Sequence, residues 1–133
     1  MNNRQSLPSC SHTVTHLLVA KQTVQAEEFL GRQLSACRQN AESKRKIALR
    51  ALLAEVRMDQ SRSLDAADLV EQNLAAADGR LTLAEASTYA RVCRALVRAH
   101  HTTRARRLLR ALLGSNLPLD AAARPLICTA AKA

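Results

Sequence analysis

Three twelve-residue blocks decide the fold: TVQAEEFLGRQL at 23–34, SLDAADLVEQNL at 63–74 and TTRARRLLRALL at 102–113. Each block starts with Ser or Thr, has Ala three residues later, and continues with an adjacent apolar pair and a closing Leu. Counted from the Ala, the apolar positions fall at +3, +4 and +8, which is one face of a helix with 3.6 residues per turn. The blocks therefore predict three amphipathic α-helices, and the hydroxyl residues Thr23, Ser63 and Thr102 are expected to cap them.

A second apolar-periodic stretch precedes each block: VTHLLVAK from Val14, IALRALLAEV from Ile47 and YARVCRALV from Tyr89. Each repeat is therefore expected to be a hairpin of a front helix, a short polar turn and a back helix. A single hairpin cannot bury its apolar face, and about three stacked repeats are the usual minimum for a stable array. We predict an all-α, tetratricopeptide-like right-handed stack of three hairpins. A non-repetitive helical bundle is the alternative.

The predicted boundaries follow from these patterns. Front helices are expected near 12–21, 43–58 and 82–100, back helices near 23–39, 63–78 and 103–113, and a capping helix at 119–130. Residues 1–11 are expected to be a flexible N-terminus, and 12–133 a single domain with repeats at about 12–40, 43–79 and 82–114. A chain of 133 residues that is 47% hydrophobic can bury one modest core. Three Gly and three Pro are too few for a sandwich or barrel.

The four cysteines, Cys10, Cys37, Cys93 and Cys128, form no C-x-x-C motif. Cys37 and Cys93 fall on apolar helix faces and are predicted to be core residues of a reduced, cytoplasmic protein. The stretch LPSC at 7–10 resembles a lipobox, but no apolar segment precedes it, so we expect neither export nor lipidation. No apolar run reaches the roughly 18 residues that span a bilayer.

Residues that could support catalysis or metal binding are scattered. His12 and His16 have the i, i+4 spacing of a metal-binding pair, with Cys10 nearby, but no further ligand follows at a matching distance. The pair His100–His101 ends a front helix, where a cation is favourable. The carboxylates predicted to form a solvated face are Glu27, Glu28, Asp65 and Asp68. Since there is also no phosphate-binding loop or nucleophile elbow, the sequence predicts a non-enzyme without a cofactor or metal.

Charge is concentrated near the C-terminus. Residues 1–79 carry 10 Lys/Arg against 9 Asp/Glu, whereas residues 80–133 carry 10 against 2. Seven arginines and no acid lie between residues 91 and 110. This spacing predicts a basic ridge that could meet an acidic partner or phosphates. The residues predicted to bind a partner are Arg91, Arg94, Arg98, Arg104 and Arg107.

Three uses of this ridge are open: binding of an acidic protein segment, binding of nucleic acid, or a solvated face. Single-stranded nucleic acid is disfavoured because Phe29 and Tyr89, the only aromatic residues, fall at core positions. Duplex reading is disfavoured because no helix-turn-helix pattern is recognisable. The leading prediction is therefore an adaptor that binds a protein partner, either an acidic segment or another helical-repeat protein, through the groove of the repeat stack and this basic face. Oligomeric state is left open, and no membrane partner is expected.

Residues 16–79, from HLLVAKQTVQAEEFLGRQL to SLDAADLVEQNLAAADG, resemble the helical-repeat region of MalT-type LuxR-family regulators. The shared features are an LxxAxxLLxxLLxxA helix, a basic linker and a leucine-rich helix before a second such block. No phosphate-binding loop precedes the repeats, and the residues after Leu113 are too few for a DNA-binding domain. The resemblance therefore implies a sensor-like scaffold, an adaptor or small transcription regulator, without ATP hydrolysis or promoter recognition. Small secretion-system chaperones have a similar size and are the rival comparison.

Overall fold

A computed structural model describes residues 6–37, 43–76 and 83–114. These residues form six α-helices and the turns that join them, and no strand occurs within these three ranges. The helices are α1 (Leu7–Val19), α2 (Thr23–Ser35), α3 (Ser43–Asp59), α4 (Ser63–Ala76), α5 (Leu83–Arg98) and α6 (Thr102–Gly114). The predicted all-α class is confirmed. The helix predicted at 119–130 lies outside the described residues.

The start of α1 corrects the predicted N-terminal boundary. The helix begins at Leu7, whereas the sequence predicted a start near residue 12 after a flexible segment. Ser6 is extended, and its hydroxyl accepts a hydrogen bond from the Ser9 N–H at 3.3 Å, which caps the first turn. Pro8 lies in that turn, where its missing N–H costs no helical hydrogen bond. Because Cys10 is completely buried, α1 already contacts the core before residue 12.

The three hairpin turns share one backbone geometry. Each contains a residue with positive φ: Lys21 at 60°, Ser61 at 60° and His100 at 66°. In each turn the following N–H bonds the carbonyl five residues back at 2.8 Å, as Gln22 does to Leu17. The positive-φ residue itself donates to the carbonyl three residues back at 3.0 Å. These paired bonds are a Schellman motif, which satisfies the last carbonyl groups of each front helix.

The same turns correct the predicted helix caps. The N-cap of α2 is Gln22, not Thr23, and it makes no side-chain capping hydrogen bond. The turn fixes Gln22 through its N–H, and its carbonyl accepts the first helical bond from Ala26 at 3.1 Å. Thr23 is therefore the first helical residue, and Ser63 and Thr102 hold the same position in α4 and α6.

Buried apolar side chains form two clusters that meet at α3. The first joins α1, α2 and α3, and Leu49 and Val56 are its contribution from α3. The second joins α3, α4, α5 and α6, and receives Ala51 and Ala54. The alanines that precede the apolar pair in each block, Ala26, Ala66 and Ala105, are all buried, which allows neighbouring helices to approach closely. Cys93 is a core residue as predicted, whereas Cys37 is only half-buried.

The contacts between helices follow chain order with three additions. Each helix packs on the next one, and the front helices also pack in a row, α1 on α3 and α3 on α5. Among the described back helices, α4 contacts α6, but no Cα atoms of α2 and α4 come within 8 Å of each other. None of the six helices has the length and apolar composition to cross a bilayer.

Candidate interaction surface on the last two helices

Helix α5 separates its charged side chains from its core side. Tyr89, Val92 and Leu96 are buried, so the guanidinium groups fall on the remaining arc of the helix. Arg91 and Arg98 are exposed, while Arg94 is half-buried. The three arginines of the predicted ridge therefore lie on the side of α5 away from the core, but they differ in how far they are exposed.

Arg91 is held by the neighbouring front helix. Its guanidinium forms an ion pair with Glu55 of α3 and also donates to the Ser87 hydroxyl at 3.0 Å. The same Glu55 carboxylate accepts a hydrogen bond from Thr88 at 2.8 Å. Arg91 is thus part of the contact between α3 and α5, and it contributes less positive charge to solvent than its sequence position suggests.

Arg104 and Arg107 connect α6 to α4. Arg104 forms two parallel 3.0 Å bonds with the Glu71 carboxylate and a third, of 2.6 Å, with Asp68. Hydrogen bonds to Asp68 and Glu71 raise the pKa of Arg104, so it stays charged at any physiological pH. Arg107 lies 3.4 Å from Glu71, with 66% of its side chain exposed, against 20% for Arg104. Arg104 is therefore a packing residue, and Arg107 is largely open to solvent.

Two exposed arginines of α6 were not among the predicted binding residues. Arg106 and Arg110 lie four residues apart on the outer side of the helix, opposite the buried Leu108 and Leu112. Within the described residues neither forms an ion pair, and the same is true of Arg98 at the end of α5. An alignment of the three back-helix blocks would have indicated them. Arg106 and Arg110 occupy the positions of Ala67 and Glu71, so arginine replaces a small and an acidic residue on the same side of the helix.

Buried polar contacts join the back helices α2 and α4 to the front helices that follow them, α3 and α5. Arg45 of α3 donates to the Gln33 side-chain oxygen at 3.0 Å, and both residues are buried. Burial raises the pKa of the Cys10 thiol, and the adjacent Arg45 guanidinium opposes this effect. Gln33 and Asn73 are equivalent residues, 40 positions apart.

Asn73 forms the second of these contacts. Its side-chain amide donates to the Ile47 carbonyl at 3.0 Å and to the Tyr89 hydroxyl at 2.9 Å, which ties together α3, α4 and α5. Burial raises the pKa of Tyr89, so the hydroxyl remains neutral. The only tyrosine of the chain is therefore a structural residue, as its predicted core position implied.

Two of the four carboxylates predicted to form a solvated face, Glu27 and Asp68, pair with residues of another helix. Glu27 pairs with Arg57 at 2.8 Å and accepts a hydrogen bond from Gln60 at 3.1 Å. These hydrogen bonds from Gln60 and Arg57 lower the pKa of Glu27. Since Asp68 also pairs with another helix, the prediction of a merely solvated face is corrected at both positions.

The histidines remain peripheral. His12 and His16 are exposed on α1, and His100 occupies the positive-φ position of the third turn. Within residues 6–37, 43–76 and 83–114, no three His, Cys, Asp or Glu side chains are grouped so that they could hold a metal ion. These side chains therefore give no basis for a metal-dependent proposal.

Comparisons with known proteins identify no relative. Neither a protein-family model, nor a curated protein, nor a solved structure matches the chain significantly. The resemblance to MalT-type repeat regions therefore stays a prediction, and the function must be argued from the site itself.

Proposed function

We propose that this protein is a non-catalytic adaptor: a tetratricopeptide-like, right-handed stack of three helical hairpins that binds an acidic protein partner. The stack is supported by the three turns of equal geometry and by the row of front helices. Hydrogen bonds between residues 33 positions apart join successive hairpins, as between Glu55 and Thr88 or Glu71 and Arg104, and such a recurrence of contacts is expected of stacked repeats.

The observation that carries the proposal is the positive charge left on α5 and α6 after internal pairing. Arg98, Arg106 and Arg110 are exposed and form no ion pair within the described helices, and Arg107 is mostly open to solvent. The only acidic residue on these two helices is Glu85. A surface with this excess attracts carboxylates and accelerates encounter with an acidic partner.

A protein partner fits this surface better than nucleic acid does. Phe29 and Tyr89 are the only aromatic side chains of the chain, and both are buried, so neither offers a face on which a base could stack. A small regulator and a secretion-type chaperone are both forms of the proposed adaptor. We also propose a cytoplasmic location, because Cys37 and Cys93 carry free thiols, the state that a reducing compartment maintains.

The test is affinity capture from the native cytoplasm, with and without nuclease. The variant is the triple substitution Arg98→Glu, Arg106→Glu and Arg110→Glu. The matched control makes the same charge change at three exposed residues elsewhere, Lys21→Glu, Arg32→Glu and Lys44→Glu. We expect a protein partner that survives nuclease, is retained by the control and is lost by the variant. Loss of all captured protein on nuclease treatment would instead favour a nucleic-acid-associated regulator.

A further inference from the structure

The repeat alignment identifies which side of each back helix faces the next repeat. Residue 27 of α2 aligns with 67 of α4 and 106 of α6, and residue 71 aligns with 110. On the first two repeats these positions meet the following hairpin: Glu27 pairs with Arg57 of α3, and Glu71 pairs with Arg104 of α6. The corresponding side of α6, defined by Arg106, Arg107 and Arg110, is named here the terminal face.

The terminal face differs from its counterpart on α4 in burial. Ala67 is completely buried in the second core cluster, whereas Arg106 at the equivalent position is exposed. Glu71 is engaged by Arg104, whereas Arg110 is exposed and forms no ion pair within the described residues. The terminal face therefore has the position of an inter-repeat interface, but no hairpin among the described residues covers it. The segment predicted to form a capping helix, 119–130, lies outside the described residues, and Asp120 is its only acid, so it lacks the paired carboxylates that a basic face would attract.

The terminal face and the corresponding side of α4 also carry charges of opposite sign. The side of α4 that meets α6 is acidic, with Asp68 and Glu71, and it receives two arginines spaced three residues apart, Arg104 and Arg107. The terminal face is basic, so a complementary helix would carry carboxylates where α6 carries those arginines. Arginine binds a carboxylate through two parallel hydrogen bonds, as Arg104 does with Glu71, and this geometry adds specificity to attraction.

We propose that an acidic helical segment of a partner protein docks on the terminal face, alongside α6 as α6 lies alongside α4, with carboxylates spaced three residues apart. The proposal rests on the adaptor function and deepens it by naming the surface, the secondary structure of the ligand and its charge spacing. A second copy of the chain fits less well. The positions of α2 that correspond to Arg104 and Arg107 are Gln25 and Glu28, which supply a single carboxylate.

The test uses the full chain and labelled alanine-based peptides of about 20 residues, a length that can form a helix in water. The first peptide carries pairs of Glu residues three positions apart on one face. The second carries the same number of Glu residues distributed around the helix, and the third carries Lys in place of the Glu residues of the first. We expect fluorescence anisotropy to show binding of the first peptide, about tenfold weaker binding of the second, and none of the third.

Variants of the chain locate the binding surface. Arg106→Glu with Arg110→Glu should abolish binding of the Glu peptide and create binding of the Lys peptide. Arg32→Glu with Lys44→Glu, the matched control on exposed residues of α2 and α3, should leave the preference unchanged. Arg107 is kept because it contacts Glu71, so that the contact between α4 and α6 is preserved.

Four results would overturn the inference. If the Arg106/Arg110 variant keeps the Glu peptide, the acidic ligand binds elsewhere, and the adaptor function stands without this surface. Equal affinities for the patterned and distributed peptides would exclude the proposed register. Tighter binding of a DNA duplex, with a steep fall of affinity with salt, would assign the face to nucleic acid. Sedimentation showing a dimer that the same variant dissociates would assign it to a second copy.

Discussion

The two junctions between successive repeats are built differently. The first junction comprises the contacts of α1 and α2 with α3, and the second comprises those of α3 and α4 with α5 and α6. Front helices pack on each other at both junctions, but back helices meet only at the second. Equal helix patterns and equal turns therefore do not make equal interfaces, since each junction of a repeat array has its own energy.

The two junctions differ in the charges at the positions where neighbouring back helices face each other, and we attribute the missing contact between α2 and α4 to this difference. At the second junction, Asp68 and Glu71 of α4 face Arg104 of α6, and their opposite charges bring the helices together. The equivalent residues at the first junction are Glu28 and Gly31 on α2, with Asp65 on α4 in the place of Arg104. Carboxylates would face each other there, and like charges repel at short range. Helices α2 and α4 therefore lack the electrostatic attraction that brings α4 and α6 together.

A substitution in the core cluster of the second junction should reduce stability most. Ala66 is completely buried among α3, α4 and α5, so Ala66→Arg combines overpacking, about 1–3 kcal/mol, with burial of an unpaired charge. We expect a loss of more than about 3 kcal/mol in urea unfolding. Ala75→Arg, on the exposed side of the same helix, should change the free energy of unfolding by less than about 0.5 kcal/mol. Equal unfolding midpoints for the two variants would contradict this assignment of the buried face.

A smaller loss of stability is expected when the equivalent buried residues Gln33 and Asn73 are replaced, and the two losses can be compared. Gln33→Leu removes the acceptor of the buried Arg45 guanidinium, whereas Asn73→Leu removes a donor to a neutral hydroxyl and a carbonyl. Leaving a buried charged group without its partner costs more than leaving a neutral one, for which about 1–3 kcal/mol is typical. We therefore expect the first junction to lose more stability than the second. Thermal unfolding of both variants decides this, and a larger loss for Asn73→Leu would reverse the ranking.

The ion pairs of the two junctions should contribute less to the free energy of unfolding, and their coupling energies can be compared directly. A double-mutant cycle on Arg104 and Glu71 should give a coupling of about 1 kcal/mol, because the pair is bidentate and Arg104 is mostly buried. The Arg57–Glu27 pair has one close contact, and about 0.5 kcal/mol is expected. Couplings in the opposite order would show that the contact between back helices adds little to the second junction.

These cross-repeat pairs define the limit of the sequence analysis. The helices were predictable because a 3.6-residue apolar period and the paucity of Gly and Pro allow no other regular structure. The ion pairs depend on which helices are neighbours, which apolar periodicity does not specify. A search for opposite charges 33 and 36 residues apart would have found the pairs of Arg104 with Glu71 and Asp68. It would also have separated Arg104, which forms ion pairs, from Arg110, which forms none with the residues that the structure describes.

The start of α1 was missed for a different reason. It depends on Ser6 and Pro8, a local signal that the other front helices do not share, so comparing the repeats could not reveal it. The predicted caps at Thr23 and its equivalents failed because the turn, rather than the hydroxyl, sets the first helical residue. Local signals at helix ends were thus less predictable than the apolar faces.

Acid should weaken the first junction through Glu27. Its pKa is lowered from 4.5 in the folded protein by hydrogen bonds from Gln60 and Arg57. A lowered folded pKa means that the stabilisation is fully present above the unfolded pKa and is lost as pH falls through the folded pKa. Glu27→Gln should therefore reduce the dependence of stability on pH below about 4.5. Urea unfolding at several pH values measures this, and parallel curves for variant and wild type would show that Glu27 makes no such contribution.

The smallest change in stability is expected at the three hairpin turns, which share one backbone geometry. Lys21, Ser61 and His100 hold a left-handed backbone that costs a non-glycine residue about 1 kcal/mol, and glycine is the usual residue at this position of a Schellman motif. Glycine also loses more conformational entropy on folding, so each substitution should stabilise the fold by only about 0.5 kcal/mol. Because the turn hydrogen bonds have the same lengths in all three hairpins, the three gains should be equal within error. A gain at Lys21 and Ser61 but a loss at His100 would show that the third turn depends on its side chain, and that the repeats differ within the hairpins as well as between them.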